Sequence, residues 1–287
     1  MDKLFQIGSF CLRLTCREEI PIPENFLKFE ISAGEPAFTY EIIPADTLPA
    51  PTGRLVARRP DLIVLSTPTG EARLIGTSGV PGWYGLYQET APDRATVTVD
   101  RNRESLFRVD PAFVSLLALE KQLLARNSLV LHCAYMDHFG KAVLFSAPSE
   151  TGKSTQAGLW QQHRGCPTLN GDRALLCRTE DQWLAQGWPV CGSSKICHNE
   201  TRPIEAIVML SQAPENTVVP LQGSQAFSQL FSQITVSRWN KAGCIHAMEL
   251  VEDLLNKVPM YHLACDISEN AVICLENALK ETAHANG

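Results

Sequence analysis

Ala142-Val143-Leu144-Phe145-Ser146-Ala147-Pro148-Ser149-Glu150-Thr151-Gly152-Lys153-Ser154-Thr155 is the stretch on which the reading of this chain turns. Ala142, Val143, Leu144 and Phe145 form an apolar run of strand length, so residues 141–146 read as a buried strand. From Thr155 to Gln162 the chain reads as a helix with Leu159 and Trp160 on its apolar side. The eight residues from Ala147 to Ser154 fit G-x-x-x-x-G-K-[ST] at every position but the first, where Ala147 replaces glycine. Gly-Lys-Ser/Thr alone arises by chance in roughly one chain in ten of this length. The weight therefore lies in its setting: strand, loop and helix in the order the motif requires.

The residue types follow from phosphate chemistry. Backbone N–H groups of such a loop, and of the helix start behind it, point at phosphate oxygens. Gly152 lets the backbone approach closely, the Lys153 ammonium reaches the β- and γ-phosphates, and the Ser154 hydroxyl coordinates Mg²⁺. Ala147, Pro148, Ser149, Glu150, Thr151, Gly152, Lys153, Ser154 and Thr155 are thus the expected nucleotide-binding residues, with ATP or another nucleoside triphosphate and Mg²⁺ as cofactors. Glu150 stands where many such loops carry glycine; with the rest of the loop intact, its carboxylate is expected to point outward.

Downstream, Leu169-Asn170-Gly171-Asp172-Arg173-Ala174-Leu175-Leu176 sets an acid between apolar segments. Asp172 there suits a magnesium ligand, direct or through water, or a base toward an acceptor hydroxyl. The competing reading is a loop aspartate that caps backbone amides. His132, in Leu131-His132-Cys133-Ala134-Tyr135, lies on the strand expected just before the loop strand, where a lone histidine is usually a packed core residue.

The remaining chain bounds the reading. Its 287 residues allow one large domain or two modest ones, and 45% hydrophobic with 20% charged residues is ordinary for a globular protein. A formal net charge of −6 with no basic run argues against a nucleic-acid partner. No stretch approaches 18 uninterrupted apolar residues, so no membrane span is expected, and the first residues carry no signal-type apolar core. The ten scattered cysteines, including Cys191 and Cys197 beside His198, then read as buried, reduced thiols of a cytoplasmic protein.

Before residue 109 the pattern is β-rich: 4–15, 26–31, 37–43, 62–66 and 95–100 read as strands separated by proline and glycine. Trp83, Tyr84 and Tyr87 suit aromatic strand packing more than a recognition surface. Asp110-Pro111 reads as an N-cap and first-turn proline opening an amphipathic helix over 111–126. Strands at 128–135 and 204–210, a turn at 137–140 and helices at 248–258 and 268–281 complete an α/β (α+β) chain. The expected division is a β-rich domain of 1–108 followed by a P-loop domain of 109–287.

His132, the 146–155 loop and Asn170-Gly171-Asp172 occur in the order seen in the catalytic domain of HPr kinase/phosphorylase. Over residues 110–280 the chain resembles that family and the wider phosphoenolpyruvate carboxykinase-like group, above all the bacterial HPr kinase-related proteins. The resemblance implies a phosphoenolpyruvate carboxykinase-like kinase fold and a catalytic set of His132, Lys153, Ser154 and Asp172. It also implies basic groups near phosphates at Lys195 and Arg202. Two departures stand out: Arg173 occupies the place of the family's second acid, and Thr155 that of an acid after the loop hydroxyl. The expected activity is Mg²⁺-ATP-dependent transfer to a hydroxyl, on a protein or peptide serine or on a small molecule. A nucleotide-binding module without catalysis and a carboxykinase-like reaction on a small carboxylic acid are the alternatives, and the reading leaves a homo-oligomer open.

Overall fold

The computed structural model of the protein describes residues 1–285. It is a mixed α/β structure of two compact units, Met1–Arg126 and Asn127–Gly287. The division thus falls eighteen residues past the 108/109 boundary, because the helical segment after Asp110 packs with the first unit.

In the first unit, β1 (Asp2–Ile7), β2 (Phe10–Cys16), β3 (Glu30–Ile31), β4 (Phe38–Ala45), β5 (Arg54–Arg59), β6 (Leu62–Thr67), β7 (Gly70–Thr77), β8 (Val80–Ala91) and β9 (Arg94–Asp100) form one sheet. Its order is β3-β1-β2-β4-β9-β8-β7-β6-β5. The expected strand at 4–15 is a hairpin, turning where Gly8 takes φ 62°. The one at 26–31 is instead a helical turn, α1 (Glu24–Leu27), before the short β3. Pro23 fixes that turn's start, and the buried Phe26 ring packs on Phe5 and Phe113 at centroid distances of 4.8 and 5.0 Å. Tyr84 and Tyr87 of β8 are buried.

The helix expected over 111–126 is two helices, α2 (Asp110–Leu116) and α3 (Leu119–Leu124), broken where Ala118 takes φ 46°. The break lets Leu116, Leu117, Leu119 and Leu123 all bury, which one straight stripe would not allow. Asp110 is the first helical residue rather than the cap; its carboxylate accepts from Asn25 Nδ2 at 2.7 Å. A buried ion network ties α3 to the sheet: Arg73 pairs with Glu71 and, at 2.5 Å, with Glu120, while Lys121 meets Glu89 at 2.5 Å.

The second unit contains β10 (Ser128–His138), β11 (Lys141–Ser146), α4 (Lys153–Arg164), β12 (Thr168–Asn170), β13 (Arg173–Arg178), β14 (Trp183–Gln186) and β15 (Thr201–Gln212). After these come β16 (Thr217–Pro220), α5 (Gly223–Gln233), β17 (Ile234–Thr235), α6 (Lys241–Lys257), β18 (Met260–Cys265) and α7 (Glu269–Ala285). Strands run β11-β10-β13-β14-β15-β18-β16, and β11 also pairs in parallel with β15, so the path closes on itself. The β10–β11 hairpin turns at Phe139 (φ 52°) and Gly140 (φ 90°), the left-handed pair that matches strand twist. Helix α4 buries Ala157 and Trp160 against Phe145, Val208 and Leu263, with α7 adding Val272 and Leu275. This packing fixes the start of α4 just beyond the end of β11. Among the described residues, no helix is long and apolar enough to cross a membrane.

Candidate functional site

Strand β11 ends at the buried Ser146, whose hydroxyl donates to the His132 carbonyl at 2.8 Å and holds β10 alongside. Ala147 is fully buried in the core with Phe145 and Ala157, so its methyl fills space that a glycine would leave empty. The chain then curls. Thr151 Oγ1 donates back to the Pro148 carbonyl at 2.9 Å, Glu150 takes φ 66°, and Gly152 takes φ 111° immediately before α4. A Cβ at Gly152 would touch nothing within 4 Å, so glycine is needed there for its backbone angle rather than for space. Glu150 is exposed.

Lys153, the first residue of α4, is buried, and its Nζ donates to the carbonyls of Ala147 and Pro148 at 2.9 and 3.0 Å. The ammonium lies across the mouth of the loop. Burial lowers its pKa, while the Asp172 carboxylate acts against that shift. The N–H groups of the first turn, those of Lys153, Ser154 and Thr155, have no intrahelical acceptor by the geometry of a helix start.

Ser154 Oγ donates to the Gly171 carbonyl at 3.3 Å, joining the first turn of α4 to the turn between β12 and β13. Asn170, wholly buried, organises that turn. Its Nδ2 donates to the carbonyls of Trp188 (2.9 Å) and Val190 (3.1 Å), and its Oδ1 accepts the N–H groups of Asp172 and Arg173. Amide capping is therefore the work of Asn170, and the Asp172 carboxylate is left for other partners. Its Oδ1 stands 3.8 Å from His132 Nε2, and its Oδ2 accepts from Arg173 Nε at 3.1 Å. His132 and Arg173 face each other across the β10–β13 ladder. Burial first, then the nearby Lys153 charge, lowers the His132 pKa against the pull of Asp172, which favours the neutral imidazole.

The turn after Cys191 packs on this corner: Ser194 Oγ donates to the Cys191 carbonyl at 2.7 Å, and Gly192 (φ 58°) sits against Asp172. Lys195 is exposed on the same turn. Cys191 and Cys197 are buried, and Cys197 Sγ donates to the Trp188 carbonyl at 3.3 Å.

The structure thus gathers Lys153, Ser154, Asp172 and His132 and leaves Arg202 out. Ser146 is level with Met209 on β15, and Arg202 stands seven residues earlier, about 23 Å back along the strand. There its guanidinium pairs with Asp137 at 2.8 Å and with Glu200 at 2.5 Å. The expected phosphate contact from Arg202 is corrected accordingly: strand direction carries it to the far end of the sheet. The sequence reading quoted Asn170 without its role and missed Thr235 altogether. Asn170 was visible as half of an Asn-Gly turn. Thr235, whose hydroxyl accepts from Arg173 Nη1 at 2.9 Å, arrives on β17 with no local signal.

Comparison with known proteins gives a matching family model and similar solved structures. The solved structure of the Hpr(Ser) kinase/phosphatase from Coxiella burnetii is similar at a TM-score of 0.33 and 11% identity, over 55% of this chain and 94% of that one. No curated protein matches. The family model described as SynChlorMet cassette protein ScmC matches residues 109–280, more than half of the sequence. The chain belongs to the SynChlorMet cassette protein ScmC family.

Proposed function

We propose that the second unit binds a nucleoside triphosphate with Mg²⁺ at the start of α4 and transfers its γ-phosphoryl group to a hydroxyl acceptor. The observation that carries this reading is the convergence of four groups at one end of the sheet: Lys153 at the loop mouth, Ser154 one residue on, and Asp172 with His132 beside them. Helix-start N–H groups and a lysine suit phosphate oxygens. A hydroxyl and a carboxylate are the hard oxygen donors that magnesium takes alongside phosphate and water. Among the described residues, no three His, Cys, Asp or Glu side chains form a dedicated metal cage. That suits a cation delivered with the nucleotide.

Ser154 and Asp172 would hold the ion, which supplies charge neutralisation at the β- and γ-phosphates. Lys153 would exchange its two loop carbonyls for phosphate oxygens, a stronger charge-assisted contact. Asp172 would orient the acceptor hydroxyl and take its proton. The oxygen–phosphorus bond to the acceptor forms as the bond to the β-phosphate oxygen breaks, and the electron pair of that bond leaves with the nucleoside diphosphate. His132, neutral beside Asp172, would support the carboxylate without adding charge.

The alternative of a binding module without catalysis is favoured by one observation, the hold of Arg173 on Asp172 Oδ2. Purified protein incubated with γ-labelled ATP, Mg²⁺ and hydroxyl acceptors separates the two. Transfer that Asp172→Asn abolishes while nucleotide binding persists supports the kinase. Binding that Lys153→Ala destroys, with no turnover in the wild type, supports the module. Absence of any nucleotide binding by the wild type ends both readings.

A further inference from the structure

Arg173 is the residue at this site whose chemistry the transfer scheme has not used. Its side chain is 35% exposed, so it borders open space rather than core. Two of its donors are engaged: Nε on Asp172 Oδ2 at 3.1 Å and Nη1 on Thr235 Oγ1 at 2.9 Å. A guanidinium carries five N–H donors in a planar fork, so most of its capacity is left over. Thr235 anchors it from β17, which pairs with β10 beside His132 through Leu131 and Ile234. The His132 ring, 3.8 Å from Asp172 Oδ1, lies close enough to feel the charges of both Lys153 and Arg173. Two cations therefore approach one imidazole, Lys153 from α4 and Arg173 from β13.

We propose that Arg173 is a built-in transition-state cation, parked on Asp172 in the nucleotide-free protein and released to the transferring phosphoryl group when the nucleotide's metal ion takes that carboxylate. This deepens the kinase reading and rests on it. A carboxylate oxygen shared with a divalent ion holds an arginine less strongly, because the ion draws off the negative charge that binds the guanidinium. The Thr235 bond keeps Nη1 in place meanwhile, so the side chain pivots rather than leaves. Arg173 then neutralises charge spread over the equatorial oxygens while the bond to the β-phosphate breaks and the bond to the acceptor oxygen forms. The acceptor's proton goes to the Asp172 oxygen that the ion would leave open, and Arg173 exchanges none. This role uses the residue that stands where the resembled family has an acid, and it makes an arginine at that position an active component rather than a lesion.

The test compares ground-state and transition-state affinity, which needs no knowledge of the acceptor. Affinities for Mg·ATP, and for Mg·ADP with aluminium fluoride as a planar phosphoryl mimic, are measured for the wild type, Arg173→Ala, Arg173→Lys and Thr235→Val. The expected result is a wild type that binds the mimic much more tightly than ATP. Arg173→Ala should keep ATP affinity within about threefold and lose about 100-fold for the mimic. Arg173→Lys should recover little, since a point charge does not reproduce the fork, and added guanidinium ion should partly rescue Arg173→Ala. Thr235→Val should lose a smaller part, about three- to tenfold. Equal losses for ATP and for the mimic, or none for either, overturn the proposal while leaving nucleotide binding intact. A folded wild type that binds neither ligand overturns the kinase reading and this inference with it. Circular dichroism confirms folding, and Arg173→Lys supplies the comparison if the alanine variant does not fold.

Discussion

A Cβ placed on Gly171 would lie 2.1 Å from Ser194 Oγ and 2.3 Å from Ser194 Cβ. The turn carrying Asp172 and the turn carrying Lys195 thus meet at a point where only a hydrogen fits. Gly171 has no positive φ to explain its presence, so the close approach is the reason for it.

Gly171→Ala should therefore force the two turns apart and lower stability by about 1–3 kcal/mol, the range for overpacking. The double variant Gly171→Ala with Ser194→Gly removes both clashing atoms and should regain most of the loss. Thermal melts of the three proteins check this; equal melting temperatures for single variant and wild type would show that the contact is not tight.

Glu150→Gln should change Mg·ATP affinity by less than about threefold, because an exposed carboxylate is screened by water. Titration calorimetry at low salt is the measurement. A tenfold gain in affinity would place the carboxylate in the phosphate path instead.

His132 gives a pH dependence whose sign follows from its environment. Burial, and then the Lys153 charge, hold its folded pKa below the ordinary 6.5. Just below that value the unfolded chain binds more protons than the folded one, so stability rises with pH there. The contribution is complete above 6.5 and is lost as pH falls through the folded value. Urea melts from neutral to mildly acid pH should show a shallower acid loss for His132→Asn than for the wild type. Parallel curves would mean that His132 keeps its ordinary pKa.

Arg73→Met should destabilise the first unit by about 3–5 kcal/mol, since it removes the buried guanidinium that pairs with both Glu71 and Glu120. Arg13→Met, which breaks the exposed pair with Asp2, should leave the denaturation midpoint nearly unchanged, because water screens that pair. Chemical denaturation of both variants tests the contrast between a buried and a solvated ion pair.

Strand, loop and helix around Gly152 were legible because their cause is local. Four apolar residues bury as a strand, Gly152 alone tolerates φ 111° without strain, and a 3.6-residue apolar stripe follows. Lys153 and Ser154 needed nothing more than their place at that helix start. The break at Ala118 was not legible, because the apolar spacing of α2 and α3 reads as one helix and only the surrounding core selects two. Strand pairing between distant residues decided the rest of the site. It set His132 opposite Arg173, brought Thr235 to the guanidinium, seated Ser194 on Gly171 and carried Arg202 to the far end of β15. Sequence thus determined which local conformations and which chemistry the chain carries. Tertiary structure decided which of those groups share one space, because register and strand direction are fixed by burial across the whole sheet rather than by any single segment.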